Sequence, residues 1–71
     1  MKKDMFYVIN AGYAGYDYKE LCEIINKKDY GYIGEFETKD KATEMINYYR
    51  EEIIYPDEIM YLVYDNTYIE C

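Results

Sequence analysis

Two unbroken apolar blocks, Met5-Phe6-Tyr7-Val8-Ile9 near the start and Ile59-Met60-Tyr61-Leu62-Val63-Tyr64 near the end, constrain this chain more than any other feature. Each is rich in β-branched and aromatic residues and too short for a buried helix, so both read as strands. The first is expected to be central, buried on both faces or nearly so, and to end at Asn10-Ala11-Gly12. The second leads through the two-residue turn Asp65-Asn66 into Thr67-Tyr68-Ile69, a closing hairpin.

Two segments of helical period lie between these blocks. Asp17 can cap a helix over residues 18–27, with Glu20 placed for a capping box. Tyr18, Leu21, Cys22 and Ile25 then form one apolar stripe, and Lys27 and Lys28 suit the C-terminal end. Thr38 caps a longer helix, Asp40 favours its first turn, and Ala42, Met45, Ile46, Tyr49 and Ile53 mark its inner face. Pro56 is expected to stop it by Tyr55. Between the helices, residues 32–37 alternate as a half-exposed strand with Phe36 inward and Glu35 and Glu37 outward. Ala11 to Tyr16, twice Ala-Gly-Tyr, reads as a loop carrying two exposed rings.

The order is β-α-β-α-β-β. Each helix owns one apolar stripe that only a sheet can bury, so the expected fold is α+β: a two-layer sandwich with both helices on one mostly antiparallel sheet. Residues 1–71 make a single domain, since 71 residues are near the small end of domain sizes. Ordering costs about 1.5 kcal/mol per residue, which leaves a thin surplus that dimerisation would reinforce.

Charge narrows the function. Residues 1–41 carry eight acids against seven lysines, net −1, whereas residues 42–71 carry seven acids against Arg50 alone, net −6. A negative surface repels phosphate, so direct nucleic-acid binding is not expected; its natural partner is a protein with a basic surface. Twelve of the 71 residues are tyrosine and none is tryptophan. A tyrosine ring buries apolar area while its hydroxyl meets water, which suits a thin core and a protein-binding face alike.

The chemistry of catalysis is poorly supplied. There is no histidine and no serine, so the commonest general base and the serine nucleophile are both missing. Gly12-Tyr13-Ala14-Gly15 has neither glycine spacing that cradles a phosphate, and the acids do not follow a calcium-loop pattern. Cys22 and Cys71 lack the spacing of a redox pair or a zinc site, so two reduced thiols are expected, one packed in a helix and one at a frayed terminus, in a reducing cytosol. No catalytic residue, cofactor or metal is expected. Nor is a membrane span or signal peptide, because Asp4 follows Lys2-Lys3 and no sustained apolar segment comes after it.

The candidate site is a protein-binding one. With Ala42, Met45, Ile46 and Tyr49 facing the sheet, Glu44, Tyr48, Glu51 and Glu52 fall on the opposite or flanking side, and Tyr55, Asp57 and Glu58 continue that surface past the helix end. Acids flanking aromatic anchors suit an Arg- and Lys-lined groove. Spaced carboxylates can also imitate the phosphates of a nucleic acid.

The small size, the acidic surplus and the segment Gly34-Glu35-Phe36-Glu37-Thr38-Lys39-Asp40-Lys41-Ala42 resemble small accessory proteins of phages of low-GC bacteria, among them anti-CRISPR and other anti-defence inhibitors. The resemblance is one of type, spans about half the chain and assigns no individual residue a role. It implies a non-enzymatic inhibitor in the cytoplasm of an infected or lysogenic host, occupying the nucleic-acid site of a CRISPR effector or other defence nuclease. The alternative is a scaffold or regulatory module, as a homodimer, working through the Tyr13-Tyr16-Tyr18 loop or the edge of the last hairpin.

Overall fold

A computed structural model describes residues 4–55 and 57–71. The elements are β1 (Phe6–Gly12), α1 (Tyr18–Lys27), β2 (Tyr32–Phe36), α2 (Lys39–Glu52), β3 (Ile59–Tyr64) and β4 (Thr67–Glu70). All strand pairs are antiparallel, in the spatial order β2-β1-β3-β4. The apolar blocks of β1 and β3 are thus the two inner strands. β2 and β3 run parallel on either side of β1, and α2 crosses over β1 to join them.

The local signals act where the sequence puts them. The Asp17 carboxylate accepts the Glu20 N–H at 2.8 Å and the Glu20 carboxylate accepts the Asp17 N–H at 3.5 Å, a complete capping box on α1. Thr38 Oγ1 accepts the Lys41 N–H at 3.2 Å at the start of α2. Asp65 takes the left-handed conformation in the β3–β4 turn, with Tyr64 paired to Thr67 across it. Phe36 is half-buried while Glu35 and Glu37 are exposed.

The core corrects the expected layering. Tyr7, Ile9, Tyr61 and Val63 pack with Leu21 and Ile25 of α1, whereas Val8, Met60 and Leu62 pack with Ala42 and Ile46 of α2. Residues of alternate parity on a strand point to opposite faces, so the helices cover opposite faces of one sheet. The arrangement has three layers, α1, sheet and α2, not two. The physical reason lies in the inner strands, which are apolar on both sides and need cover on both.

Four smaller differences follow from hydrogen bonding. β1 does not stop at Ile9: Asn10 Oδ1 accepts the Gly12 N–H at 2.7 Å across a register shift, and pairing continues to Gly12 opposite Ile59. α2 ends at Glu52, with Ile53 as C-cap at φ −120°, short of the expected Tyr55; Pro56 lies outside the described residues. The Ile53 and Ile54 N–H groups both donate to the Tyr49 carbonyl. Ile53 is therefore 55% exposed and Ile54 packs in its place on the α2 side. The C-terminus is not frayed, because the Cys71 N–H donates to the Met60 carbonyl at 2.7 Å and Arg50 Nη2 donates to the Cys71 carbonyl.

Candidate protein-binding surface

α2 presents its acids to solvent as its period dictates. Ala42 and Ile46 are buried and Met45 and Tyr49 half-buried, which leaves Glu44, Tyr48, Glu51 and Glu52 exposed. Glu44, Tyr48 and Glu51 are three or four residues apart, hence neighbours on the outer side. Glu52 lies on the flank towards Met45. The Tyr48 ring meets Tyr49 edge-on with centroids 6.1 Å apart, which holds it against the helix while 53% of the residue stays in water.

The remaining candidates form a second group in the segment between α2 and β3. Tyr55 is 71% exposed and Asp57 is exposed, but Glu58 is half-buried and does structural work. Its carboxylate accepts the Tyr55 N–H at 3.2 Å, and its own N–H donates to the Tyr55 carbonyl at 3.1 Å, which closes the turn. Arg50, the only cation after residue 41, donates from Nη1 to the Glu58 carbonyl at 3.4 Å as well as to Cys71. Its guanidinium thus reaches two main-chain carbonyls and ties α2 to this turn and to Cys71.

Tyr13, expected on a separate loop surface, lies instead beside the acidic turn. The Tyr13 hydroxyl is pushed above its ordinary value by local desolvation first, then by the negative charges of Asp57 and Glu58 and by Tyr55. Gly12 pairs with Ile59, so the loop after β1 lies beside the acidic turn and adds a ring that is 68% exposed. No spacing along the chain could reveal this, because β1 and β3 bring residues some forty positions apart together only through their pairing, Gly12 opposite Ile59.

The alternative surface of Tyr13, Tyr16 and Tyr18 does not exist as one exposed set. Tyr16 is half-buried against the α1-side core, and its N–H donates to the Tyr61 hydroxyl at 3.1 Å. Tyr18 stacks on Tyr68 at 6.2 Å and donates its hydroxyl to the Asp65 carbonyl. Burial first, then Cys22 and Asp65, push the Tyr18 hydroxyl up to about 12. The hairpin edge, by contrast, is open: every residue of β4 is exposed, Ile69 by 52%.

Cys22 is half-buried, Cys71 exposed, and both are free thiols. Among the described residues no group of three or more His, Cys, Asp or Glu is placed to hold a metal ion, and no helix is long and apolar enough to cross a membrane. A scan against protein-family models finds no match. Searches of curated proteins and of solved structures find no similar protein.

Proposed function

We propose that this chain is a non-enzymatic protein inhibitor that lays the outer face of α2 and the following turn on a basic, nucleic-acid-binding surface of another protein, with a CRISPR effector or other defence nuclease as the partner class. The observation that carries the reading is the joint exposure of Glu44, Glu51, Glu52 and Asp57 with the rings of Tyr48 and Tyr55. Carboxylates spaced along a helix meet guanidinium and ammonium groups that otherwise hold phosphates. The exposed rings supply the apolar anchor that charge alone lacks. Binding there competes with nucleic acid rather than joining it, because the face itself repels phosphate.

The test is cleavage of labelled duplex by a panel of defence nucleases, with and without the protein, at low and moderate salt. Inhibition that weakens as salt rises and as substrate DNA is increased is expected. Inhibition indifferent to both would remove the reading.

A second reading, a self-associating scaffold, draws on the open β4 edge, where unpaired backbone groups and the Ile69 side chain face solvent. Sedimentation at low and high ionic strength separates the two. A dimer joined along β4 persists in salt, whereas an acidic ligand stays monomeric in both.

A further inference from the structure

The turn between α1 and β2 holds the Tyr30 ring outside the fold, 96% exposed, although a tyrosine ring is a large apolar surface that folding usually covers. Its backbone is firmly set. Asp29 Oδ1 accepts the Tyr30 N–H at 2.8 Å, the Asp29 carbonyl accepts the Tyr32 N–H at 3.0 Å, and the Gly31 carbonyl accepts the Asn10 N–H at 2.8 Å. Gly31, at φ 96°, comes so close to Asn10 that a Cβ there would lie 2.5 Å from the Asn10 carbonyl oxygen.

Beside this ring opens a cleft of about 260 Å³, lined by the tyrosines Tyr16, Tyr30, Tyr32 and Tyr49, the main chain around Asn10 and Gly31, and Glu58. These tyrosines come from four separate segments: the loop before α1, the turn after it, β2 and α2. No lysine or arginine is among the described residues that line it. Its volume is below the range of about 300–1,000 Å³ usual for sites that enclose a whole small molecule, but it accommodates the head of one side chain. Aromatic faces attract cations, and a carboxylate beside them adds a charge-assisted hydrogen bond. A planar guanidinium uses both at once, by stacking and by its fork of donors, whereas an ammonium is a compact, strongly hydrated point charge.

We infer that this cleft receives an arginine side chain of the protein partner. The inference rests on the proposed basic partner and adds to it one anchoring residue, held apart from the exposed acids of α2.

The test uses the full ¹⁵N-labelled chain, titrated with N-acetyl-arginine-N-methylamide, the corresponding lysine derivative, and agmatine as a free small-molecule guanidine. Saturable shifts confined to the amides of Asn10, Tyr30, Gly31 and Tyr32 are expected with the arginine probe, with several-fold weaker binding of the lysine probe. Glu58→Gln, which keeps an acceptor for the Tyr55 N–H, is expected to weaken the arginine probe about tenfold. Tyr30→Ala is expected to weaken it several-fold with an unchanged melting temperature, since so exposed a ring contributes little to folding. No saturation, equal response to lysine, wild-type affinity in both variants, or agmatine binding more tightly than the peptide-like probe would each overturn the proposal. Failure here with salt-sensitive nuclease inhibition intact would leave the docking face standing. Loss of inhibition with arginine binding intact would remove the docking face instead.

Discussion

Gly31 is where the joint between β1 and β2 is most exposed to a single methyl group. At φ 96° its backbone lies in a region that disfavours L side chains, and an added Cβ would sit 2.5 Å from the Asn10 carbonyl oxygen. The strain of a left-handed backbone costs about 1–2 kcal/mol for a residue with a Cβ. Relief of the contact must move the Asn10 main chain, whose N–H donates to the Gly31 carbonyl at 2.8 Å, and losing such a bond costs about 1 kcal/mol. Against this, alanine restricts the unfolded chain and returns about 0.4–1 kcal/mol. Gly31→Ala is therefore expected to cost about 2 kcal/mol, a large share of the roughly 4–10 kcal/mol that a chain of 71 residues commands. The melting temperature should fall by roughly 8–16 °C at this size. Gly12 supplies the control: its φ is also positive, at 63°, but a Cβ there meets nothing within 4 Å. Gly12→Ala carries the backbone strain without the collision, and its net cost should be about 1 kcal/mol, roughly half that of Gly31→Ala. Urea denaturation of both variants reads the difference. Equal losses would refute the claim that the close approach to Asn10, rather than the backbone angle, fixes this turn.

Three further outcomes follow from the same geometry. Ile25 and Ile46 lie in the cores on opposite faces of the sheet, so Ile25→Val and Ile46→Val should each cost about 1 kcal/mol and add to within about 0.5 kcal/mol in the double variant. A departure from the sum by 1 kcal/mol or more in urea melts would mean that the helices share a core. Removing the guanidinium in Arg50→Gln frees the Cys71 and Glu58 carbonyls, and amide exchange in β4 should accelerate while that in β1 stays slow; uniform change would contradict the tether. Tyr18 holds its proton up to about 12 in the fold against an ordinary value of 10.0. The unfolded chain therefore ionises first, so this residue's stabilisation is intact below pH 10 and drains away as pH rises towards 12. Tyr18→Phe should flatten that part of the stability profile, and an unchanged slope would exclude Tyr18 as its cause.

Most elements were legible because their signals are local. Asp17 with Glu20, Thr38, and Asp65-Asn66 each act through bonds spanning at most a few residues. The number of layers was misread although its sign was in plain view. Tyr7, Val8 and Ile9 in succession, and Met60 to Val63, leave no polar face on either inner strand, and such strands require cover on both sides. The continuation of β1 to Gly12 was hidden because Asn-Ala-Gly ordinarily punctuates, whereas here Asn10 caps its own bulge. The C-terminus appeared frayed for want of any local clue that Arg50 reaches it across 21 positions. At the candidate surface, the exposure of Glu44, Tyr48, Glu51 and Glu52 follows from helical period alone. The approach of the Tyr13 loop to the Asp57 turn depends on the pairing of Gly12 with Ile59, and the meeting of four tyrosines and Glu58 at one cleft depends on tertiary packing, neither of which periodicity encodes.

The most direct measurement of the proposed docking is the association rate with any nuclease that the cleavage assay finds inhibited, taken at about 50 and 300 mM salt, where exposed charges are respectively weakly and strongly screened. It compares the wild type with a variant in which Glu44, Glu51, Glu52 and Asp57 are each changed to lysine and Glu58 is left in place. For the wild type the rate should fall at least about tenfold between the two salts, while the variant should be slow at both. Equal rates for the two proteins, unmoved by salt, would contradict the claim that the acidic face of α2 guides and holds the complex.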